Sequence, residues 1–443
     1  MFTNKQIWAL LIPLMVEQVL NALMGSVDTM MVSNVGAAAI SAVSLVDSVN
    51  VLVVLVFSAM ATGGSIVCSQ YIGGKLEKAA TRAGEQLLLT TLFLSLICMS
   101  VLIVFRAPLL RLVFGQIEAD VMENSMIYLL ITALSYPFIA MYNAGAAMSR
   151  ACGNSKLPMS ISMTANVLNV VGNALLIFVF HLGVAGAALA TLFSRIFSAL
   201  AIMYRLRQPK QMIVIRRYLS IRPDWQLIRK IVSIGVPNGI ENSMFQFGKL
   251  IIQSTVSTLG TVAIAAQAMS TTLEVNASHA ASGIGLGMMT IVGQCIGAGR
   301  PDEAKKYIRK LSIYGGLTVL FCCILIMVLV RPITVLSGME PEVAQMTVEL
   351  TWIICTFKAF GWTASFMPAY GMRAAGDVRY SMIVSVLCMW FGRVAVTVVL
   401  IHFFGFGPVA VWYGMFADWI GRGILFGMRY RSGKWMKKSV VKT

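Results

Sequence analysis

Charged residues are scarce in this chain. Asp, Glu, Lys and Arg make up only 12% of its 443 residues, whereas 58% are hydrophobic, and a soluble domain carries about 25% charged residues. This shortage excludes a soluble globular protein, and the apolar content excludes a disordered chain. We therefore expect lipid to be the solvent for most of the sequence.

Residues and motifs that bind metals or perform catalysis are also few. The chain has eight Cys and three His, without a CxxC pair and without an HExxH, GxSxG or Walker motif. These absences argue against a disulfide framework, a zinc site, a cofactor and the use of ATP. We expect that the protein is not an enzyme.

Basic residues outnumber acidic ones. The chain has 35 Lys and Arg against 18 Asp and Glu, which gives a net charge of +17. In a soluble protein such an excess indicates nucleic-acid binding, but here the basic residues form short clusters between apolar runs. This pattern is typical of membrane topology, so we expect no nucleic-acid partner.

Twelve apolar runs are long enough to cross a bilayer, which requires about 20 residues per helix. They lie near residues 7–32, 42–68, 87–105, 127–149, 158–180, 185–204, 231–257, 263–292, 312–330, 348–371, 380–402 and 408–428. The loops after runs 2, 4, 6, 8 and 10, together with the two tails, carry 27 of the 35 basic residues. The positive-inside rule then predicts a multi-pass protein of the plasma membrane with both termini in the cytoplasm.

The two halves of the chain are related by an internal repeat. A shift of 224 residues aligns positions 13–80 with 237–304 without a gap, and 15 of the 68 pairs are identical, against roughly five or six expected by chance. Six runs per repeat give both halves the same orientation, which predicts an all-α fold of two parallel six-helix lobes. We predict an N-lobe at 1–204, a basic cytoplasmic linker at 205–230, a C-lobe at 231–430 and a basic cytoplasmic tail at 431–443.

Carboxylates inside the first two runs are candidates for an ion site, because a charge at bilayer depth must face water or the protein interior. Glu17, Asn21 and Asp28 share one face of run 1, since spacings of four and seven residues return to the same side of a helix. Asp28 precedes and Asp47 follows the outer turn, so the two carboxylates lie at similar depth. Such a pair shares a proton or holds a cation.

Run 5 supplies neutral oxygen atoms for the same site. Asn169 and Asn173 are four residues apart and therefore share a helical face. Together with Asp28 and Asp47 they form the predicted cation-coupling site. Two simpler interpretations stay open, namely that Asp28 caps the outer end of its helix and that Asp47 belongs to a generally polar stretch.

The second half carries five charges at a common depth, about ten residues from the nearest outer loop. They are Lys249, Glu274, Lys358, Arg393 and Asp418. Opposite charges at one depth form ion pairs, so we predict structural pairs between Lys249 and Glu274 and between Arg393 and Asp418, with Lys358 left over. A coupling cation should then prefer the first half, where acidic residues exceed Arg195.

Further residues are candidates for gating or substrate contact. Glu17 and Glu241 each follow a proline by four residues in the two repeats, which indicates either a paired gate or a relic of the duplication. Glu274 and His279 share run 8, and a histidine titrates in the physiological range. Trp362 belongs to an aromatic set that, with 29 Met residues, suits an adaptable pocket for flat organic cations.

In these features the chain resembles the multidrug and toxic compound extrusion (MATE) family, in particular its bacterial DinF-like and NorM-like members. The motifs occur in the family's order and most of them occur twice. They are Val27-Asp28-Thr29-Met30-Met31-Val32 with Gly36, Gln70-Tyr-Ile-Gly-Gly, Gln294-Cys-Ile-Gly-Ala-Gly, Arg150-Ala-Cys-Gly-Asn and Arg373-Ala-Ala-Gly-Asp.

The resemblance implies a twelve-helix secondary-active antiporter that works by alternating access of two lobes. Such a protein exports organic, mostly cationic drugs in exchange for H⁺ or Na⁺, and we expect a monomer in contact with membrane lipids and without a cofactor. Asp28 matches the aspartate of the family's cation site, which makes it the one position where bound Na⁺ is expected.

Two departures from the family pattern affect the site. DinF-like members carry a carboxylate where this chain has Asn173, which leaves open whether Asp47 replaces it. NorM-like members carry a glutamate where this chain has Phe245, so coupling through the first lobe is favoured. The alternative function is a flippase for lipid-linked oligosaccharides or lipids of the same superfamily. Twelve runs and a neutral interior charge argue against it.

Overall fold

The computed structural model describes residues 1–115, 118–209, 211–216 and 218–440. Within these ranges the chain folds into α-helices joined by short loops, without β-strands. The all-α class predicted from the apolar runs is therefore confirmed. The last three residues of the predicted tail, 441–443, lie outside the described part of the chain.

The first half of the chain contains eight α-helices. They are α1 (Asn4–Ser33), α2 (Ala37–Gly73), α3 (Glu77–Val104), α4 (Arg106–Phe114), α5 (Ala119–Leu134), α6 (Tyr136–Ala151), α7 (Lys156–Asn173) and α8 (Gly183–Leu206). A π-helical segment, Ala174–Val179, continues α7. The helices α5 and α6 form one apolar stretch that is bent by 42°.

The second half contains seven α-helices. They are α9 (Trp225–Val256), α10 (Thr261–Gly297), α11 (Pro301–Leu336), α12 (Pro341–Ala374), α13 (Val378–Leu387), α14 (Val396–His402) and α15 (Val409–Ser432). A π-helical segment, Cys388–Ala395, joins α13 to α14, and short 3-10 turns lie at Tyr218–Ser220, Ser257–Leu259 and Lys434–Lys437.

Each of the twelve predicted runs coincides with one long helix or with a helix that is bent or contains a π turn. Among the described residues, eight helices are long and apolar enough to cross a membrane, or nine if the bent pair α5 and α6 counts as one span. The helices α9, α12 and α15 fall short of that test, and each carries charged side chains within its length. The charged side chains within these three helices need partners or water, because they lie in segments that are otherwise apolar.

The helices pack into two compact units. The first unit is Leu20–Gly239, and the second unit combines Met1–Val19 with Ile240–Thr443. The division falls inside α1 and inside α9, so each of these helices contributes one half to each unit. The predicted lobes were drawn at loops, and as moving parts of a transporter they stay a prediction.

Glycine residues of neighbouring helices allow the backbones of α1 and α9 to pack closely. In the first unit, a Cβ on Gly63 of α2 would lie 2.7 Å from the carbonyl oxygen of Ile231 in α9. In the second unit, a Cβ on Gly283 of α10 would lie 2.7 Å from the carbonyl oxygen of Leu14 in α1. Only a residue without a side chain allows such distances, so both half-helices depend on glycine for their packing.

The predicted linker is ordered against the first unit. The side-chain amide of Gln86 donates to the carbonyl of Arg222 at 2.9 Å and accepts from the backbone N–H of Asp224 at 2.9 Å. The hydroxyl of Tyr218 donates to the carbonyl of Met203 at 2.6 Å, and Ile213 is buried. The segment between α8 and α9 is therefore folded onto α3 and α8.

We expect Gly283→Ala to destabilise the protein. The added methyl group must displace the backbone of α1, which costs about 1–3 kcal/mol, whereas Gly427→Ala in α15 meets no atom within 4 Å and gains helix propensity. Thermal unfolding of the two purified variants in detergent measures the difference. Equal unfolding temperatures would show that α1 does not depend on this contact.

Candidate functional site

The first unit brings three of the four predicted cation-site residues, Asp28, Asn169 and Asn173, into one hydrogen-bonded cluster. Asn173 Nδ2 donates to Asp28 Oδ1 at 2.9 Å and to Asn169 Oδ1 at 3.3 Å. The Asn169 side-chain amide can take either of two orientations. In one, its nitrogen donates to Thr191 Oγ1 at 3.3 Å, and in the other it lies 2.7 Å from Asp28 Oδ1. The helices α1 and α7 thus meet at the Asp28 carboxylate, and α8 contacts α7 there through Thr191 in the first orientation of Asn169.

One oxygen in this cluster has no hydrogen-bond partner. Asn173 is 2% exposed, and its Oδ1 accepts no hydrogen bond from any described residue. A buried carbonyl oxygen without a donor is unfavourable. A carboxylate and amide oxygens close together are the ligand types that hard cations prefer, so the residues present fit Na⁺.

Asp47 lies at the centre of a second set of hydrogen bonds. Asn50 Nδ2 donates to Asp47 Oδ1 at 3.2 Å, and the Tyr128 hydroxyl donates to the same oxygen at 3.4 Å. The Tyr136 hydroxyl donates to Asn50 Oδ1 at 2.7 Å. Asp47 and Asp28 are close enough to interact electrostatically.

Arg195 on α8 supplies positive charge to both carboxylates. It interacts electrostatically with Asp28 and with Asp47, and its Nη1 donates to Ser135 Oγ at 2.7 Å. Within the described ranges neither carboxylate forms an ion pair shorter than 4.0 Å. Two carboxylates therefore share one guanidinium, and none of the three charges is locked into a salt bridge.

Several members of the cluster were not predicted from the sequence. Tyr128, Ser135, Tyr136 and Thr191 lie in runs 4 and 6, where hydroxyl groups among apolar residues gave no distinctive signal. Only the bend between α5 and α6 places two tyrosines beside α2.

The predicted stripe on run 1 is divided between the units. Glu17 is buried and belongs to the second unit. Asn21 belongs to the first unit, where its Oδ1 accepts from Ser162 at 2.9 Å and from Asn166 at 3.1 Å. Asn21 and Asp28 therefore line the same unit, and Glu17 does not join them.

The ion pairs predicted for the second unit are wrong in their partners. Glu274 pairs with Lys358, whose Nζ also donates to the Glu274 carbonyl at 2.6 Å. Asp418 pairs with Arg422, with Nε 2.5 Å from Oδ1. Lys249 and Arg393, which were assigned to these carboxylates, interact with them only through longer-range electrostatics.

The error has a physical reason. The prediction compared depth along each helix, and depth does not determine which face of a helix points at which neighbour. Arg422 lies one turn from Asp418 on the same helix, where side chains four residues apart are neighbours. Lys358, expected to have no partner, is instead fully buried against Glu274.

The pairing leaves one group of charges in the second unit with a positive excess. This group holds four cations against two carboxylates, Glu274 and Asp418, whereas the buried Glu241 and Asp377 are paired with Arg373 and Arg429. The four cations are Lys249, Lys358, Arg393 and Arg422. This local excess weakens the argument against a lipid flippase that was based on a neutral interior.

The remaining candidates have simple packing partners. Glu241 Oε1 lies 2.6 Å from Arg373 Nη2, so it is held in an ion pair. Trp362 is buried and stacks on Phe366, with ring centroids 5.3 Å apart. His279 is half-buried and lies within electrostatic range of Glu274 and Lys358. Across the described residues, no group of three or more His, Cys, Asp or Glu is arranged to hold a metal ion.

Comparison with known proteins finds one match in each half of the chain. The family model described as MatE matches residues 13–175 and 237–399. The "Probable multidrug resistance protein NorM" of Thermotoga maritima is 27% identical over 448 residues, which cover 99% of this chain and 94% of that protein. The "Probable multidrug resistance protein YoeA" of Bacillus subtilis is 28% identical, covering 98% and 94%.

Solved structures share the fold. A crystal structure of a MATE transporter from Vibrio cholerae superimposes with a TM-score of 0.90 at 19% sequence identity, covering 98% of each chain. At this identity the likeness establishes the arrangement of the helices and nothing more.

A double-mutant cycle should distinguish the observed ion pair from the predicted one. We expect Lys358→Met to lower the free energy of unfolding by about 3 kcal/mol, because it leaves Glu274 charged and buried without its partner. The loss should be much smaller when Glu274→Gln is already present. The same cycle with Lys249→Met and Glu274→Gln should give coupling under about 0.5 kcal/mol. Unfolding of detergent-solubilised protein measures both, and stronger coupling to Lys249 would contradict the structure.

Proposed function

The chain belongs to the MatE family, and from that premise we propose that it is a secondary-active multidrug efflux transporter of the cell membrane. The names of its relatives in Thermotoga and Bacillus support drug efflux rather than lipid flipping. The proposed cargo is a range of organic compounds, mostly cations, which leave the cell as H⁺ or Na⁺ enters. Transport does not change the cargo chemically, which agrees with a sequence that lacks the HExxH, GxSxG and Walker motifs.

The observation that carries this proposal is the state of Asp28. Its carboxylate is held by amide N–H donors and not by an ion pair, next to the unpartnered Oδ1 of Asn173. Such a carboxylate can accept a proton or bind a metal cation without first breaking a salt bridge. Asn169 and Thr191 complete the set of oxygen atoms around it.

The local charges favour a single monovalent ion. Asp28 and Asp47 together carry two negative charges, and Arg195 supplies one positive charge. One proton or one Na⁺ therefore brings the cluster to neutrality, which is the favoured state in a region of low dielectric constant. A divalent cation would leave an excess positive charge.

Ion entry is coupled to drug export if ion binding changes the relative stability of two conformations. An ion shifts such an equilibrium only by the difference between its affinities for the two states. We propose that the cluster closes around the ion in one state and opens to water in the other, while the N-lobe and the C-lobe alternate about the linker 205–230. The basic loops favour cytoplasmic termini, and the protomer acts as a monomer.

Asp28→Asn should abolish ion-driven drug export, because a neutral amide cannot exchange a charge. Purified protein in liposomes, with Na⁺ and H⁺ gradients imposed separately, measures the loss and identifies the coupling ion. Asp120→Asn is the matched control, since Asp120 is exposed at the start of α5. Export by the Asp28 variant at the wild-type rate would exclude Asp28 as the coupling residue.

Asp47→Asn should weaken ion binding without abolishing it. The change leaves the Asp28 carboxylate already balanced by Arg195, so the concentration of the coupling ion for half-maximal transport should rise at least tenfold, which is about 1.4 kcal/mol. Ion titrations of transport in liposomes test this expectation. An unchanged half-maximal concentration would show that Asp47 takes no part in the charge balance.

A further inference from the structure

A single phenyl ring in the second unit is surrounded by three cationic groups. Lys249 Nζ lies 4.9 Å from the centroid of the Phe245 ring, Arg393 Cζ lies 5.4 Å from it and Arg422 Cζ lies 5.8 Å from it. A ring attracts each cation weakly through its quadrupole, but it neutralises none of them. Asp418 compensates Arg422, so the repulsion that a further group could relieve is the one between Lys249 and Arg393.

Two of the cations, Lys249 and Arg393, have no anionic partner in the part of the chain that the structure describes. Asp418 binds Arg422 and Glu274 binds Lys358, and the second oxygen of Asp418, which accepts no hydrogen bond from a described residue, acts on Arg393 only through longer-range electrostatics. Arg393 is only 8% exposed, and its Nε has no hydrogen-bond partner among the described residues. A guanidinium stays protonated in proteins, and a buried unpaired charge is strongly unfavourable. An anionic ligand beside these two cations would supply the counter-charge that the described residues provide only at longer range.

The internal repeat relates this cluster to the ion site of the first unit. The shift of 224 residues aligns Phe245 with Asn21 and Glu274 with Asn50. Lys249 takes the position of Gly25. The positions of Glu274 and Lys249 are thus uncharged in the first half, so the charges of the second cluster are not a copy of the ion site.

The fold holds Arg393 in place and leaves Lys249 partly exposed. Arg393 lies in the π-helical segment Cys388–Ala395, and π turns are frequent at functional sites. The neighbouring Gly392 permits close contact with α15, because a Cβ there would lie 3.1 Å from the backbone nitrogen of Asp418. Lys249 is exposed over part of its side chain, and its Nζ lies beside the cluster.

We propose that the second unit binds the carboxylate, sulfonate or phosphate of an amphiphilic organic compound between Lys249 and Arg393. The stacked Trp362 and Phe366 rings offer apolar surface beside it, since Arg422 Cζ lies 5.0 Å from the Phe366 ring. The assignment of this bound compound to transported cargo rests on the proposed efflux function. It extends the cargo from organic cations to zwitterions and organic anions.

Binding of two dyes with the same xanthene ring system tests the site. Fluorescein is anionic and rhodamine 6G is cationic, and fluorescence anisotropy with purified full-length protein in phospholipid-free detergent gives a Kd for each. We expect the ratio of the fluorescein Kd to the rhodamine 6G Kd to rise at least tenfold in Lys249→Gln and in Arg393→Gln. Arg393→Lys, which keeps the charge, should restore most of the wild-type ratio.

The ratio separates a binding role from a structural one. A variant that is merely less well folded loses both dyes in proportion, and an unchanged ratio in both variants overturns the proposal. Absence of fluorescein binding to the wild-type protein also overturns it. Lys306→Gln, on α11 and outside the cluster, is the matched control for the loss of one positive charge.

Phospholipid added to the same assay identifies the source of the anion. Displacement of fluorescein by phosphatidylglycerol, but not by phosphatidylcholine, supports the site and assigns it to a lipid headgroup. Resistance to both lipids, with displacement by soluble aromatic carboxylates, supports the site and assigns it to cargo. Equilibrium binding requires no ion gradient, so failure of the Asp28 experiment would leave this result unaffected.

Discussion

A charge buried in a membrane-spanning bundle requires a counter-charge, a hydrogen-bond partner or water. Both units of this protein meet that requirement only in part. In the first, Asp28 and Asp47 share Arg195, and in the second, four cations share Glu274 and Asp418. Each of these two groups of charges is thus one or two charges away from neutrality, with opposite sign. This imbalance is the reason why we propose a small cation as the ligand of the first group and an oxyanion as the ligand of the second.

The sequence alone predicted the helices and the amide cluster because local rules govern both. Apolar length defines a spanning helix. The four-residue spacing of Asn169 and Asn173 places both on one face, and their polarity within an apolar run predicted that this face supplies oxygen atoms to the carboxylate site. The duplication was equally visible, since Pro13 and Glu17 recur as Pro237 and Glu241.

The ion pairs could not be predicted because they depend on the rotation of each helix about its axis. Lys249 and Lys358 lie at similar depth, and only the packing of α12 against α10 determines that Lys358 meets Glu274. The contribution of Tyr136 to the first cluster depends on a bend, and that of Arg393 to the second depends on a π turn. Neither feature alters the apolar pattern of its run.

The two π-helical segments occupy corresponding spans in the two halves, one directly after Asn173 and the other around Arg393. A π turn accommodates one more residue than an α turn of the same rise. If it relaxes to α geometry, the helix on one side rotates by about 100° relative to the other side. The side chains that we propose as ligands thus lie at the two places where a change of helical register would re-aim them.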